Sequence, residues 1–219
     1  MGKQHLKAIQ EHPNCKIASI IDNTIEAKDI AFEQGFPYYT SLKEAITVTK
    51  PDGLIVATPN SQHFQDSFLA LQVGIPILVE KPISDSLSDA AKLIELGRKT
   101  NVPILTGYHR RHNSRVFEVK KKLDEGYIGT VVAMHGMFWL YKPDDYFDQV
   151  WRKKAGAGPI HINLSHDIDL MRHLLGEVES VQAISKNEIR GFDVEDTAVV
   201  ILNFSSGIVG SISISDTIV

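Results

Sequence analysis

Short apolar runs alternate with longer amphipathic stretches through the first half of the chain, which predicts strands and helices in turn. Residues 3–11 carry Leu6 and Ile9 and read as a helix closed by Pro13. The β-branched run KIASIID over 16–22 reads as a buried strand. A helix over 24–34 stops at Gly35, and Tyr38-Tyr39 marks a brief strand. Ser41, with Glu44 three residues on, forms a capping box for a helix to about Val48. Residues 53–58, 76–80 and 102–108 are further apolar runs, with helical stretches over 61–73 and 86–100 between them. Strands separated by helices of this length predict βαβ units and a parallel sheet. Apolar runs without alternation predict cover on both sheet faces.

The pattern changes near residue 107. A helix is expected over 113–125, a strand over 129–141, a polar Gly-rich loop over 142–159 and a helix over 163–175. Strand-like runs follow at 178–188, 195–204 and 207–216, the last two joined by a hairpin at Ser205-Ser206-Gly207. This half reads as an α+β domain with an antiparallel or mixed sheet. The expected division is therefore 1–106 and 107–219. The run at 197–204 is apolar on both faces, whereas the run at 207–216 has one face of Val209, Ser211, Ser213 and Ser215. Helices cover one side of such a sheet, so the other side is expected to meet another subunit. The chain opens inside a helix and stops just after a strand, so both ends read as cut.

Composition narrows the class. The chain has 219 residues, 43% of them hydrophobic, which excludes a disordered or low-complexity protein. Its net charge of −4 gives no basic footprint for nucleic acid or a membrane surface. A single cysteine rules out an internal disulfide, and no apolar run is long enough to span a membrane. A cytoplasmic protein is expected.

Four constellations carry candidate chemistry. Gly2 opens a helix, and Asp22 closes a strand about 20 residues later. A carboxylate there accepts from both hydroxyls of an adenosine ribose and repels a 2′-phosphate, so NAD is favoured over NADP. Its bland counterpart is a turn residue or helix cap. Thr58, Pro59, Asn60 and His63 follow a buried strand, where ligands of open α/β sheets lie, or else Ser61 caps a helix. Glu80-Lys81-Pro82 puts a lysine at the mouth of such a crevice, able to hydrogen-bond a reacting hydroxyl; the alternative is a surface lysine paired with Glu80. Asn163 and His166 share a helix face with Asp167, Asp169 follows, and the stripe of Leu164, Ile168, Met171 and Leu175 turns the polar set toward a cleft. Here the bland reading is a capped helix with His166 bonded to backbone. His161, His166 and Asp169 match no common zinc spacing, so no metal is expected.

Taken together, these pieces resemble the Gfo/Idh/MocA oxidoreductase family. MGKQHLKAI resembles the end of that family's Gly fingerprint, with Gly2 as its third glycine. IID at 20–22, ATPNSQH at 57–63, EKP at 80–82, GYHRRHN at 107–113 and AGAGPIHINLSHDIDLMRHLLG at 155–176 resemble its later signatures, in order. The resemblance implies a Rossmann-like parallel sheet, its first strand missing here, followed by an α+β domain with a largely antiparallel open sheet. That open sheet makes dimers or tetramers in the family. It also implies a nicotinamide cofactor held between the domains and a hydride exchanged with a sugar- or cyclitol-like hydroxyl. On that pattern Lys81 and His166 are catalytic, Pro82 shapes the lysine's turn, and Trp151 and Arg152 lie near the nicotinamide. The cofactor set is Gly2, Asp22, Thr58, Pro59, Asn60, His63, Glu80, Lys81, Trp151 and Arg152. The substrate set is Tyr108, Arg111, Tyr146, Asn163 and His166. The chain departs from the pattern at Ile162, where many members carry Asp, and in lacking the first two fingerprint glycines and part of the C-terminal sheet. Those departures keep a second reading open, that of a non-catalytic NAD- or sugar-binding regulatory or oligomeric protein.

Overall fold

The structure, a computed structural model, describes residues 1–154 and 156–218. Ala155, which begins the Gly-rich signature, and Val219 lie outside them. The chain divides into two compact units, Met1–Gly107 and Tyr108–Val219.

The first unit runs α1 (Gly2–Glu11), β1 (Ile20–Ile21), α2 (Ile25–Glu33), β2 (Tyr38–Tyr39), α3 (Leu42–Thr49), β3 (Leu54–Val56), α4 (Asn60–Gln72), β4 (Ile77–Val79), α5 (Leu87–Thr100) and β5 (Ile104–Thr106). All strand pairs are parallel, in two sheets ordered β1-β2 and β3-β4-β5. Helix starts follow the expected capping chemistry, with Thr24, Ser41 and Ser86 accepting backbone N–H groups from Ala27, Glu44 and Asp89. Val56, Ile77 and Val79 bury against Ala70, Leu71 and Leu93, which joins the second sheet to α4 and α5. Gly97 allows that approach: a β-carbon there would lie 2.7 Å from Ile104 Cδ1.

Three expectations are corrected in this unit. The run 16–22 is not a buried strand; pairing is confined to Ile20–Ile21, and both residues are half-buried. Its first residues gain no ladder partner, so β propensity alone does not carry them into the sheet. Second, α4 begins at Asn60 with Pro59 at its N-cap, so Ser61 is not the cap. Third, the second sheet is not covered on both faces. Ile55, Leu78 and Leu105 share a register row, and Leu105 is 62% exposed while Val79 on the other face is fully buried. Within β5 only the Ile104 and Thr106 face is partly covered.

The second unit comprises α6 (Ser114–Asp124), β6 (Ala133–Trp139), 3₁₀ turns over Asp144–Asp148 and Val150–Lys153, a π turn over Ile160–Leu164, α7 (Ser165–Leu175), β7 (Val178–Lys186), β8 (Thr197–Phe204) and β9 (Val209–Ser215). Its mixed sheet is ordered β6-β9-β8-β7, with β6 parallel to β9 and the other pairs antiparallel. The expected hairpin turn holds, with Gly207 at φ 85° donating to Phe204 O at 2.9 Å. The strand expected over 129–141 is shorter. The helix expected from Asn163 is already wound, as the π turn, from Ile160.

Burial in β8 alternates: Ala198, Val200, Leu202 and Phe204 point inward to meet Leu164, Ile168, Met171 and Leu175 of the helix. Val199 and Ile201 face the other way and are 50% and 47% exposed.

Candidate active site

In the first unit Asp22, Thr58, Glu80 and Lys81 lie on turns that leave the carboxyl ends of parallel strands, whereas Gly2 opens α1 and His63 lies in α4. Asp22 follows β1; its Oδ1 accepts the Thr24 N–H at 2.8 Å, and the Tyr38 hydroxyl donates to its backbone carbonyl at 2.5 Å. The Asp22 carboxylate is thus exposed and oriented by a short turn. Gly2 opens α1, and a β-carbon there would meet no atom within 4 Å.

Thr58 leaves β3 and donates through Oγ1 to Asp66 at 2.9 Å. Pro59 and Asn60 start α4, which brings His63 round toward the same turn. His63 is 1% exposed, with Nε2 2.9 Å from Thr58 O and Nδ1 2.7 Å from Pro82 O. Its ring joins the turn after β3 to the turn after β4, the one that carries Lys81. The Lys81–Pro82 peptide is cis. Glu80 is tied to β3 by its N–H to Val56 O at 2.9 Å, and its Oε1 lies 2.7 Å from His5 Nε2. Gly107 packs on Glu80, where a β-carbon would sit 3.0 Å from Oε2.

In the second unit four consecutive residues meet the start of α7. The turn His109–His112 follows Tyr108. The rings of Tyr108 and His109 stand edge-on to the His166 imidazole, with centroids 5.9 and 5.2 Å away. Arg110 pairs with Asp167. Arg111 grips Asp169 with two prongs, Nε to Oδ2 at 2.9 Å and Nη2 to Oδ1 at 2.5 Å. Burial, assisted by the negative charge of Asp169, raises the Tyr108 hydroxyl pKa. Burial also raises the Asp167 carboxyl above the ordinary range, against the pull of Arg110.

Asn163 sits in the π turn, a backbone irregularity common at functional sites. Glu195 holds the start of this segment: its Oε1 accepts Ile160 N–H at 3.0 Å. Gly158 makes room for that carboxylate, since a β-carbon would fall 2.1 Å from the same oxygen.

The loop residues form their own stack. The Arg152 guanidinium lies 4.0 Å over the Tyr146 ring and donates to Tyr146 O at 2.7 Å, and the half-exposed Trp151 ring is 5.3 Å away. At the loop's base the buried Lys142 ammonium lies 3.6 Å from Asp216 and 5.0 Å from Tyr146, and burial lowers its pKa, opposed by Asp216. Arg190 reaches the same point, donating to Asp216 Oδ1 and to Lys142 O.

Within the first unit the structure gathers Thr58, His63, Glu80 and Lys81 on adjoining turns. Within the second it gathers Tyr108, Arg111, Asn163 and His166. Asp22 follows β1 of the other, two-stranded sheet and Gly2 opens α1, while Tyr146, Trp151 and Arg152 belong to the loop. His5, Arg110 and Glu195 were not singled out from sequence. Their partners lie 75, 57 and 35 residues away, beyond any local pattern. Among the described residues no group of three or more metal-ligating side chains converges, and no helix is long and apolar enough to cross a membrane.

Comparison with known proteins follows this division. A sequence model for an oxidoreductase family with an NAD-binding Rossmann fold, GFO/IDH/MocA, matches residues 1–108. The model for the GFO/IDH/MocA C-terminal domain matches residues 116–218. The chain is 29% identical over 182 residues to myo-inositol 2-dehydrogenase of Thermotoga maritima, covering 80% of this chain and 52% of that protein. It is 26% identical over 215 residues to levoglucosan dehydrogenase of Pseudarthrobacter phenanthrenivorans, covering 85% and 55%. The chain therefore spans about half the length of these curated relatives. Among solved structures, the WlbA dehydrogenase of Bordetella pertussis in complex with NADH and UDP-GlcNAcA superposes with a TM-score of 0.88 at 28% identity, covering 98% of this chain and 68% of that one.

Proposed function

Because the chain belongs to the Gfo/Idh/MocA family of oxidoreductases, with its NAD-binding Rossmann fold, we propose that it serves an NAD-dependent dehydrogenase of a sugar- or cyclitol-like alcohol. The observation that carries this reading is the half-buried lysine leaving the central parallel strand β4, on a turn clamped by His63, in a chain whose second unit presents a half-buried imidazole packed edge-on by Tyr108 and His109. The donor set fits a dinucleotide: the exposed Asp22 carboxylate, already fixed by Thr24 N–H, accepts ribose hydroxyls and disfavours a 2′-phosphate. Asp22, Gly2 and the turns at Thr58–Asn60 and Glu80–Lys81 would hold the cofactor. When bound, the nicotinamide supplies the hydride acceptor or donor.

The chain's own residues do the rest. His166 accepts the hydroxyl proton, held in orientation by the two flanking rings. Lys81 is the other catalytic residue, able to hydrogen-bond and polarise a reacting hydroxyl. Asn163 positions the substrate, and Tyr108, Tyr146, Trp151 and Arg152 line its pocket. Arg111, whose fork is closed on Asp169, acts by fixing the turn that carries Tyr108.

The outer face of the second unit's sheet supports assembly through a second copy. Met137, Val199 and Ile184 lie in one register row with Ser213, exposed by 61%, 50% and 71%.

Fluorescence quenching of Trp139 or Trp151 on NAD⁺ titration, followed by absorbance of reduced nicotinamide on adding neutral polyols, tests this function. Saturable binding and polyol-dependent reduction are expected. No binding at millimolar NAD⁺ overturns it and favours a non-catalytic protein on this fold.

A further inference from the structure

Two imidazoles from different helices hold the residues on either side of Lys81. His63 of α4 lies 2.7 Å from the carbonyl of Pro82, and His5 of α1 lies 2.7 Å from the carboxylate of Glu80. We propose that His5 is a positioning residue for Lys81, carrying the place of α1, the helix that Gly2 opens, to the turn that holds the amine. This rests on the oxidoreductase reading above and adds to that site a residue far from it in sequence.

The sheet fixes the chain as far as Glu80. Its N–H reaches Val56 O at 2.9 Å on one side of β4, and Gly107 N–H reaches Val79 O at 2.8 Å on the other. Lys81 follows directly, so the set of the Glu80 side chain bears on its direction. That side chain is confined. A β-carbon on Gly107 would lie 3.0 Å from Oε2 and 3.3 Å from Glu80 Cα, so the glycine lets the carboxylate lie against the end of β5. Oε1 then accepts the His5 Nε2–H, since a carboxylate has no proton to give. The two side chains are 21% and 12% exposed, so water competes poorly for either group.

The other end of this link is α1, which buries no residue of its own. A helix without a buried anchor depends on its polar contacts for placement. Lys3 ties it to Glu26 of α2, and Gln10 to Gln34 at the end of α2. α2 packs on β1 and β2, a ladder separate from β3-β4-β5. His5 thus crosses from the first sheet's helices to the turn of the second sheet, 75 residues on.

The test is ¹³C NMR of the full chain carrying lysine labelled at Cε, which reads the Lys81 environment without turnover; the Lys81 resonance is identified by its loss in Lys81→Met. His5→Gln keeps an N–H donor of similar reach, and His5→Asn keeps the amide but is too short. His5→Asn should move the Lys81 resonance toward the exposed lysines, and His5→Gln should leave it near its natural place. Glu80→Ala should move it as well, with His5→Asn adding nothing in that background. In polyol turnover, His5→Asn should lower kcat about tenfold while NAD⁺ affinity changes less than about threefold, and His5→Gln should restore most of kcat. An unmoved Lys81 resonance in His5→Asn, equal effects of the two amides, or a further shift in the Glu80→Ala background overturns the inference. Loss of the folded state in His5→Asn, read by circular dichroism, also overturns it by making His5 a residue of the fold. No NAD⁺ binding by the natural chain overturns the oxidoreductase reading instead, so the two failures are distinguishable.

Discussion

Arg111 and Asp169 form a two-pronged ion pair across 58 residues of sequence, Nε to Oδ2 at 2.9 Å and Nη2 to Oδ1 at 2.5 Å. The pair fixes the turn after Tyr108 against α7, and thereby sets both rings that flank His166. Asp169 is buried, so removing its partner leaves a carboxylate with poor solvation. Arg111→Met should lower the unfolding free energy by about 2 kcal/mol, discounted from a fully buried pair because the arginine is partly exposed. Arg111→Lys should recover less than half of that, since an ammonium cannot reproduce the planar fork. Urea unfolding midpoints of the three proteins check this, and full recovery by lysine would mean that charge alone is required.

Lys142 gives a pH signature. Burial lowers its pKa in the folded chain, with Asp216 opposing. The unfolded chain therefore binds more protons between the lowered value and the ordinary lysine pKa of about 10.4. Stability should rise as pH increases through that window, and the contribution is lost as pH falls below it. Melting temperatures recorded upward from neutral pH should show the rise in the natural chain and a smaller one in Lys142→Met. Identical slopes would show that the buried amine is not the titrating group.

His63 bridges two turns through Thr58 O and Pro82 O from a position only 1% exposed. His63→Leu removes the ring N–H that one of these two carbonyls accepts, together with the packing that joins the turns, and should destabilise the chain by about 2 kcal/mol. If the bridge also aims Lys81, kcat should fall by more than NAD⁺ affinity does, and His63→Gln, which keeps a donor, should recover part of it. Equal losses in the two parameters would reduce His63 to a packing role.

The row of Met137, Val199 and Ile184 predicts self-association. Light scattering should give a multiple of the chain mass for the natural sequence and the monomer mass for Val199→Glu. A monomeric natural chain would count against this face as an interface.

Periodicity made much of this fold legible. The stripe Leu164, Ile168, Met171 and Leu175 packs on the sheet because a helix returns to one face every three to four residues. The inward set Ala198, Val200, Leu202 and Phe204 follows from strand alternation, and Ser41 accepts from Glu44 N–H as its capping box predicts. What local pattern could not carry was pairing between distant residues. Residues 16–19 have strand composition without a ladder partner, and Leu105 belongs to an apolar run yet lies exposed. The π turn at Ile160–Leu164 has no periodic signature. Placement of Thr58, Lys81 and Asp22 at strand ends was readable from the boundaries of apolar runs. The partners that orient the site, His5 on Glu80 and Glu195 on Ile160, depend on the folded chain alone.

The account turns on the Lys81 ammonium acting in chemistry, beyond the part its turn takes in holding the cofactor. Steady-state reduction of NAD⁺ by a polyol substrate, compared with direct NAD⁺ titration, measures both in Lys81→Met. The predicted result is turnover reduced by about 10²–10⁴-fold with cofactor affinity retained. Undiminished turnover, or loss of NAD⁺ binding in step with activity, would contradict it.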